Sequence, residues 1–353
     1  MKITWLTAGG IRSVDGTLFS ALASERYRVV IPAQLLRAGG HEVTAVPAGC
    51  PLNDAIWNAA LKAELLVVSK VFTDDVLEVV RRARAEGARI VLDLCDDHFE
   101  TPELGSVYTQ LCETVDAIVV STSAMGETIA TRFGRHSSVI DDPYEAPLGE
   151  PIFRPRPDGL RLAWFGSPVN FDTCVAMLPA LAELSRSLPL TLRVVTDAVD
   201  GFVPSRLEEL TAPHRPTMQT RFVPWSPAET WSTIAAADLV VVPSFDDPRK
   251  RVKGPNRMVE SLRLGRFVAA YPLPAYVPLG QYAWLGRDLT AGIGWAVANP
   301  AAVLARVQAG QKYVAARFAP EIIGRAWETV LRGTLEARPA VPAPKFLRRH
   351  AIA

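Results

Sequence analysis

Residues 249 to 265 read Arg-Lys-Arg-Val-Lys-Gly-Pro-Asn-Arg-Met-Val-Glu-Ser-Leu-Arg-Leu-Gly, and five of the nine side chains from Arg249 to Arg257 are cationic. Such runs are usually solvated loops, and Asp246 and Asp247 balance part of this one. Its place in the chain argues for more. An apolar run, Leu239 to Val242, leads through Pro243-Ser244 into the basic segment, and a helix start follows at Gly254-Pro255. Proline suits the first helical turn, where its missing N–H would have no partner. A helix start offers free N–H groups and the positive end of the macrodipole, so it attracts anions. Lys253 and Arg257 add full positive charge there, with Arg249, Lys250 and Arg251 as weaker candidates. Glu260 lies five residues after Pro255, roughly 7 Å along a helix axis. That offset suits a ligand carrying a diphosphate next to a ribose diol. Pairing along the helix with Arg257 or Arg263 is the bland alternative for Glu260.

Few other residues offer chemistry. Asp96, Asp97 and His98 follow an apolar run ending at Leu94, where they could orient an acceptor hydroxyl or share its proton. A helix cap with surface carboxylates explains them equally well. Gly9-Gly10 follows the first strand but lacks the third glycine of a dinucleotide fingerprint. Arg12 and Ser13, just beyond, could meet substrate. No HExxH, GxSxG or Walker pattern occurs. His41, His136, His214 and His350 are ordinary by position. Cys50, Cys95, Cys112 and Cys174 form no CxxC pair and no zinc spacing, so no metal is expected.

Those residues need a frame to hold them. The chain has 353 residues, enough for two cores rather than one. Its formal charge of +1 leaves no global field to hold nucleic acid. No apolar stretch approaches the ~18 residues of a membrane span, and the first strand begins too early for a signal peptide. A reduced, cytoplasmic setting is expected, with a peripheral place at the inner face of the membrane as its variant. Strands are predicted at 2–7, 42–46, 64–69, 89–94, 116–120 and 137–140, alternating with helices over 27–38, 74–86 and 123–132. A proline-rich interval, 142–157, then separates a second series. Its strands are predicted at 160–165, 190–196, 219–223, 238–242 and 267–270, with helices at 168–186, 204–211, 227–236, 255–264, 300–316 and 320–333. Loops 8–26 and 95–110 read as irregular. Strand and helix alternation of this kind builds parallel sheets from βαβ units, with ligands beyond the carboxyl ends of the strands. The expected fold is therefore α/β, two doubly wound Rossmann-like domains facing a central cleft, with domains at 1–150 and 151–335. A proline-rich basic tail, 336–353, reads as a flexible end. A weak contact with a partner or a membrane surface is its second reading.

Taken together, Lys253-(x)3-Arg257-xx-Glu260-(x)4-Gly265-Arg-Phe-Val268 and Pro274-Ala-Tyr276 resemble the donor-site segment of GT-B glycosyltransferases, especially those similar to family 4. Tyr27 to Pro32 with Leu35 and Gly39-Gly40-His41-Glu42-Val43 resembles the first helix and second strand of that group. Asp93-Leu-Cys-Asp96-Asp97-His98-Phe99 resembles the acidic strand end of one of its branches. Trp164-Phe165-Gly166-Ser167 with Asp172 resembles the opening of its nucleotide-binding domain. The resemblance spans about residues 1 to 335.

It implies sugar transfer from a UDP- or GDP-sugar donor to an acceptor hydroxyl (glycan, lipid-linked or small molecule), retaining and without a bound metal or other cofactor. Lys253 and Arg257 would neutralise the leaving diphosphate, and Glu260 would hold the ribose. Gly166 and Ser167 would bring backbone amides to a phosphate, with Gly254 and Asn256 also at the donor. Gly9 and Gly10 would face the phosphate from the first domain, with Arg12 and Asp96 on the acceptor side and Asp97 and His98 near the chemistry. The last helix would cross back onto the first domain. Two departures stand out. The first Glu of the usual pair falls on Val252, and the basic pair after the Gly166 turn is absent, with Asn170 in that stretch. A nucleotide-sugar epimerase or hydrolase on the same fold, a non-catalytic two-domain binding protein, and an inactive scaffold are the competing readings.

Overall fold

The computed structural model describes residues 1–48, 54–71, 73–156 and 159–337. The expectations for Cys50 and for the tail beyond residue 337 lie outside them. The chain divides into two compact units. Of the described residues, one comprises those within 1–143, 252–254 and 320–337, and the other those within 144–251 and 255–319. The division thus falls at 143/144 rather than 150/151, and the last helix, Pro320–Glu336, belongs to the first unit.

The first unit opens with β1 (Lys2–Thr7), followed by a hairpin of β2 (Ile11–Val14) and β3 (Thr17–Ser20). It continues with β4 (Glu42–Pro47), β5 (Leu65–Ser69), β6 (Arg89–Leu94), β7 (Ala117–Val120) and β8 (Ser138–Val139). Six of these form one parallel sheet in the order β4-β1-β5-β6-β7-β8. The central strands are largely apolar because both faces are covered, and every residue of β5 is buried. One face packs on Ile56, Val76, Val79, Val107, Leu111 and Met125. The other packs on Val29, Ala33, Leu36, Ile323, Trp327 and Leu331. The last helix is therefore part of this core, with Trp327 edge-on to Trp5 at 4.7 Å.

The second unit holds β9 (Leu160–Phe165), β10 (Leu190–Thr196), β11 (Met218–Pro224), β12 (Leu239–Val242), β13 (Phe267–Ala270) and β14 (Trp284–Leu285). They pair in parallel in the order β11-β10-β9-β12-β13-β14. Its two faces carry separate apolar clusters, one including Trp164, Leu181 and Ile293, the other Met258, Leu262 and Tyr276.

Each sheet has a place where the chain, having built strands to one side of its first strand, returns to build on the other. It lies between β1 and β5 in the first unit and between β9 and β12 in the second. Ligands of such sheets bind beyond the strand carboxyl ends at that reversal. Two segments read as irregular are ordered: 11–20 forms the hairpin, and Gly105–Thr114 is a helix.

Candidate functional site

At the reversal of the second sheet, β9 ends in Phe165-Gly166-Ser167, and a 3-10 turn, Pro168–Asn170, leads into the helix Phe171–Ser185. From β12 the chain runs through a short helical turn, Pro248–Arg251, and the helix Asn256–Arg263 starts after Pro255. Pro255 is thus the cap residue rather than the first helical one. The five cations of this segment part company. Arg249 pairs with Asp247 at 3.2 Å and Arg251 with Asp246 at 2.7 Å, all at the surface. Lys250 turns inward and donates to the Asn170 side chain. Arg257 approaches Gly166, where its Nη1 would lie 3.9 Å from any added Cβ. That nitrogen is buried and has no hydrogen-bond partner among the described residues. A buried donor left unpaired costs free energy, which an incoming acceptor would relieve.

The electrostatics agree. Burial lowers the Lys250 ammonium below its usual range, and the nearby Arg257 charge lowers it further. Burial pushes the Cys174 thiol up to about 12, with Arg257 opposing the rise. Two cations are thus held near each other, one of them with no partner for a buried nitrogen, beside the N-terminus of a 15-residue helix. Such an arrangement is built for an anion. Ser167 is exposed and Asn256 begins its helix, half-buried, both at this end of the second unit.

Glu260 is packed against the main chain. It is 1% exposed, and its two carboxylate oxygens accept from the backbone amides of Glu145 at 2.9 Å and Ala146 at 2.8 Å. Arg263 lies over the Tyr144 ring at 4.3 Å. The structure thus gives Glu260 the work of fixing the chain where the second unit begins, which neither expected reading foresaw.

Lys253 and Gly254 fall in the first unit, apart from Arg257 in the division of the chain. The side chain of Val252 is buried among Met125 and its neighbours, and its carbonyl accepts from Thr122 Oγ1 at 2.9 Å. The apolar residue at this position is an anchor, which accounts for its not being a glutamate. Lys253 then reaches Asp96, just beyond the carboxyl end of β6. Asp96 also pairs with Lys70, at 2.9 Å, and lies 4.0 Å from His98 Nε2. Lys70 follows β5 at the sheet reversal and carries φ of +58°, unusual for a side-chain-bearing residue. Sequence reading missed it.

Three further candidates are placed as follows. Asp97 accepts from the Phe99 amide at 3.2 Å, a local cap. Gly9 and Gly10 have φ of +136° and +87°, and the Gly9 amide is already donated to Glu25 Oε1 at 3.2 Å, so it is not offered to a phosphate. Arg12 sits on the exposed face of the hairpin, opposite Phe19. Among the described residues no group of three or more His, Cys, Asp or Glu is placed to hold a metal ion. No helix among them is long and apolar enough to cross a membrane.

No protein-family model and no curated protein sequence matches the chain. Solved structures do. HepE from Anabaena, in complex with UDP-glucose, superposes with a TM-score of 0.71 at 16% identity, over 94% of this chain and 99% of that one. A glycosyltransferase from Rickettsia africae gives 0.71 at 11% identity, over 95% and 99%. The pneumococcal O-GlcNAc transferase GtfA, in complex with UDP and GlcNAc, gives 0.55 at 13% identity, over 93% of this chain and 65% of that one. The chain has the GT-B fold. At these identities the likeness is one of architecture.

Proposed function

We propose that this GT-B protein is a glycosyltransferase that moves a sugar from a nucleoside-diphosphate-sugar to an acceptor hydroxyl. The observation carrying the reading is the buried, unpartnered Arg257 Nη1 beside Lys250 and Gly166 at the reversal of the second sheet. Departure of a nucleoside diphosphate builds negative charge on phosphate oxygens. Cations fixed in advance stabilise that charge more in the transition state than in the ground state. Lys250 and Arg257 are assigned to the diphosphate, with Gly166 leaving room for its approach and Ser167 and Asn256 at the rim. UDP is the first base to try, since HepE and GtfA are solved with it.

In the first unit, Asp96 and His98 are assigned to the acceptor side, where a carboxylate and an imidazole can orient a hydroxyl and receive its proton. The reaction is proposed to retain anomeric configuration and to need no metal, on the resemblance of the donor segment alone.

A thermal-shift panel of nucleoside diphosphates and nucleotide sugars tests the reading, because a ligand of the native state raises its stability with the logarithm of concentration over affinity. UDP or GDP and one cognate sugar conjugate should raise Tm. Arg257→Met should weaken that binding tenfold to a hundredfold, about 1.5–3 kcal/mol for a charged hydrogen bond. No shift with any nucleotide would remove the proposal.

A further inference from the structure

Beyond the acidic end of β6 the first unit carries a groove of about 390 Å³, between residues 99–102 and the first turns of the helix Gly105–Thr114. It is open to solvent. Five of its eight lining residues, Glu100, Thr101, Ser106, Thr109 and Gln110, bring a side-chain hydrogen-bonding group. Pockets for apolar ligands have the opposite balance. Hydroxyls and amides both donate and accept, as the hydroxyls of a sugar do. Gln110 Nε2 donates to Ser106 Oγ at 3.2 Å, which holds that pair together one helical turn apart. Glu100 is the one charged residue of the lining, and Arg132 pairs with it while lying 5.0 Å from the Phe99 ring centroid. With that charge matched, nothing in the lining calls for an ionic ligand.

The walls are set before any ligand arrives. The amides of Leu104 and Gly105 donate to the Thr101 carbonyl at 3.1 and 2.8 Å, and the Thr101 amide donates to the His98 carbonyl at 2.9 Å. A Cβ at Gly105 would fall 2.2 Å from the Phe99 carbonyl oxygen, so the helix start is seated directly on the segment it faces. A surface fixed in advance lowers the ordering cost of binding. Thr101 Oγ1 also lies 3.4 Å from His98 Nδ1, so one end of the groove meets the imidazole assigned to the acceptor.

We infer that this groove binds a neutral oligosaccharide, its units lying along residues 99–110 and its end unit at His98, and that the acceptor is a saccharide chain. The binding site stands on residues of the first unit alone. Naming its occupant as the acceptor rests on the glycosyltransferase reading above.

An array of neutral di- to hexasaccharides, probed with the full chain and no nucleotide, tests the site, and the tightest binder is then titrated by calorimetry. At least one glycan should be retained. Ser106→Trp fills the groove from an exposed position and should weaken that glycan on the order of tenfold or more, as overpacking does. Gln110→Ala, also exposed, should weaken it about fivefold, the loss of one neutral hydrogen bond. Both variants should keep the wild-type Tm. In transfer assays with the donor that the thermal-shift panel selects, Ser106→Trp should raise the KM for the glycan with kcat little changed, because the groove grips units remote from the reacting hydroxyl. Retention of no glycan, or wild-type affinity in both variants, would overturn the inference, and a nucleotide-induced rise in Tm would still leave the glycosyltransferase reading standing. An unchanged glycan KM in Ser106→Trp would separate the groove from the acceptor and overturn that half of it. Failure of every nucleotide to bind would remove the glycosyltransferase reading, while the array and the Ser106→Trp titration would still decide the groove.

Discussion

Lys250 and Arg257 differ from their cationic neighbours by what surrounds them, and that difference has a pH signature. The free protein sheds the Lys250 proton below the ordinary value of 10.5, because burial and the Arg257 charge disfavour the ammonium. A bound anion favours the ammonium and restores the proton. Nucleotide binding should therefore take up protons as pH rises through the lowered Lys250 pKa, and affinity should fall there. Titrations with UDP carried from neutral pH up to 10.5, in buffers of different ionisation enthalpy, should show a range where the observed enthalpies differ, a difference reduced in Lys250→Met. Equal enthalpies across the whole range would contradict the assignment. The sequence showed the run of five cations but not this sorting. Two partners, Asp246 and Asp247, are local, whereas the pairing of Lys253 with Asp96 spans 157 positions and no spacing rule reports it. Lys70 left no trace in composition, since its oddity lies in a backbone angle. Glu260 was legible as important but not for its reason, because its partners are main-chain amides.

Among the elements, the central strands were the most readable. Parallel strands covered on both faces must be apolar along their whole length, and Leu65–Ser69, Leu239–Val242 and Phe267–Ala270 read as such. The hairpin was not readable, because only Ile11 and Leu18 are buried in it and its other face is exposed. The helix Gly105–Thr114 hid behind a glycine start with no side-chain cap; a Cβ at Gly105 would lie 2.2 Å from the Phe99 carbonyl oxygen, so packing dictates the residue. The last helix gives the clearest energetic prediction. Trp327 is fully buried, edge-on to Trp5, with the Arg28 guanidinium 5.3 Å from its ring centroid. Arg28 in turn ties Asp93, at 2.6 Å, to Asp142 and the Ile140 carbonyl. Trp327→Ala should destabilise the first unit by about 3–5 kcal/mol, the usual cost of emptying a large aromatic site. Denaturant unfolding followed by tryptophan fluorescence checks this, and a change below about 1 kcal/mol would show that the helix is not part of that core.

At the scale of the molecule, two sheets with reversed strand order each place a charged cluster beyond their strand ends, and the sequence foretold the pair of domains more firmly than their edges. Domain limits shifted because residues 252–254 and the helix from Pro320 join the first unit, contacts between segments more than a hundred residues apart. The fold is shared with these solved structures at only 11–16% identity, so the chemistry must be decided at the site itself. A crystal structure of the protein with UDP does this most directly. The account predicts a diphosphate oxygen at ~2.9 Å from Arg257 Nη1, with Lys250 turned from Asn170 toward the phosphates. A well-ordered nucleotide that leaves Arg257 Nη1 without a partner would contradict it.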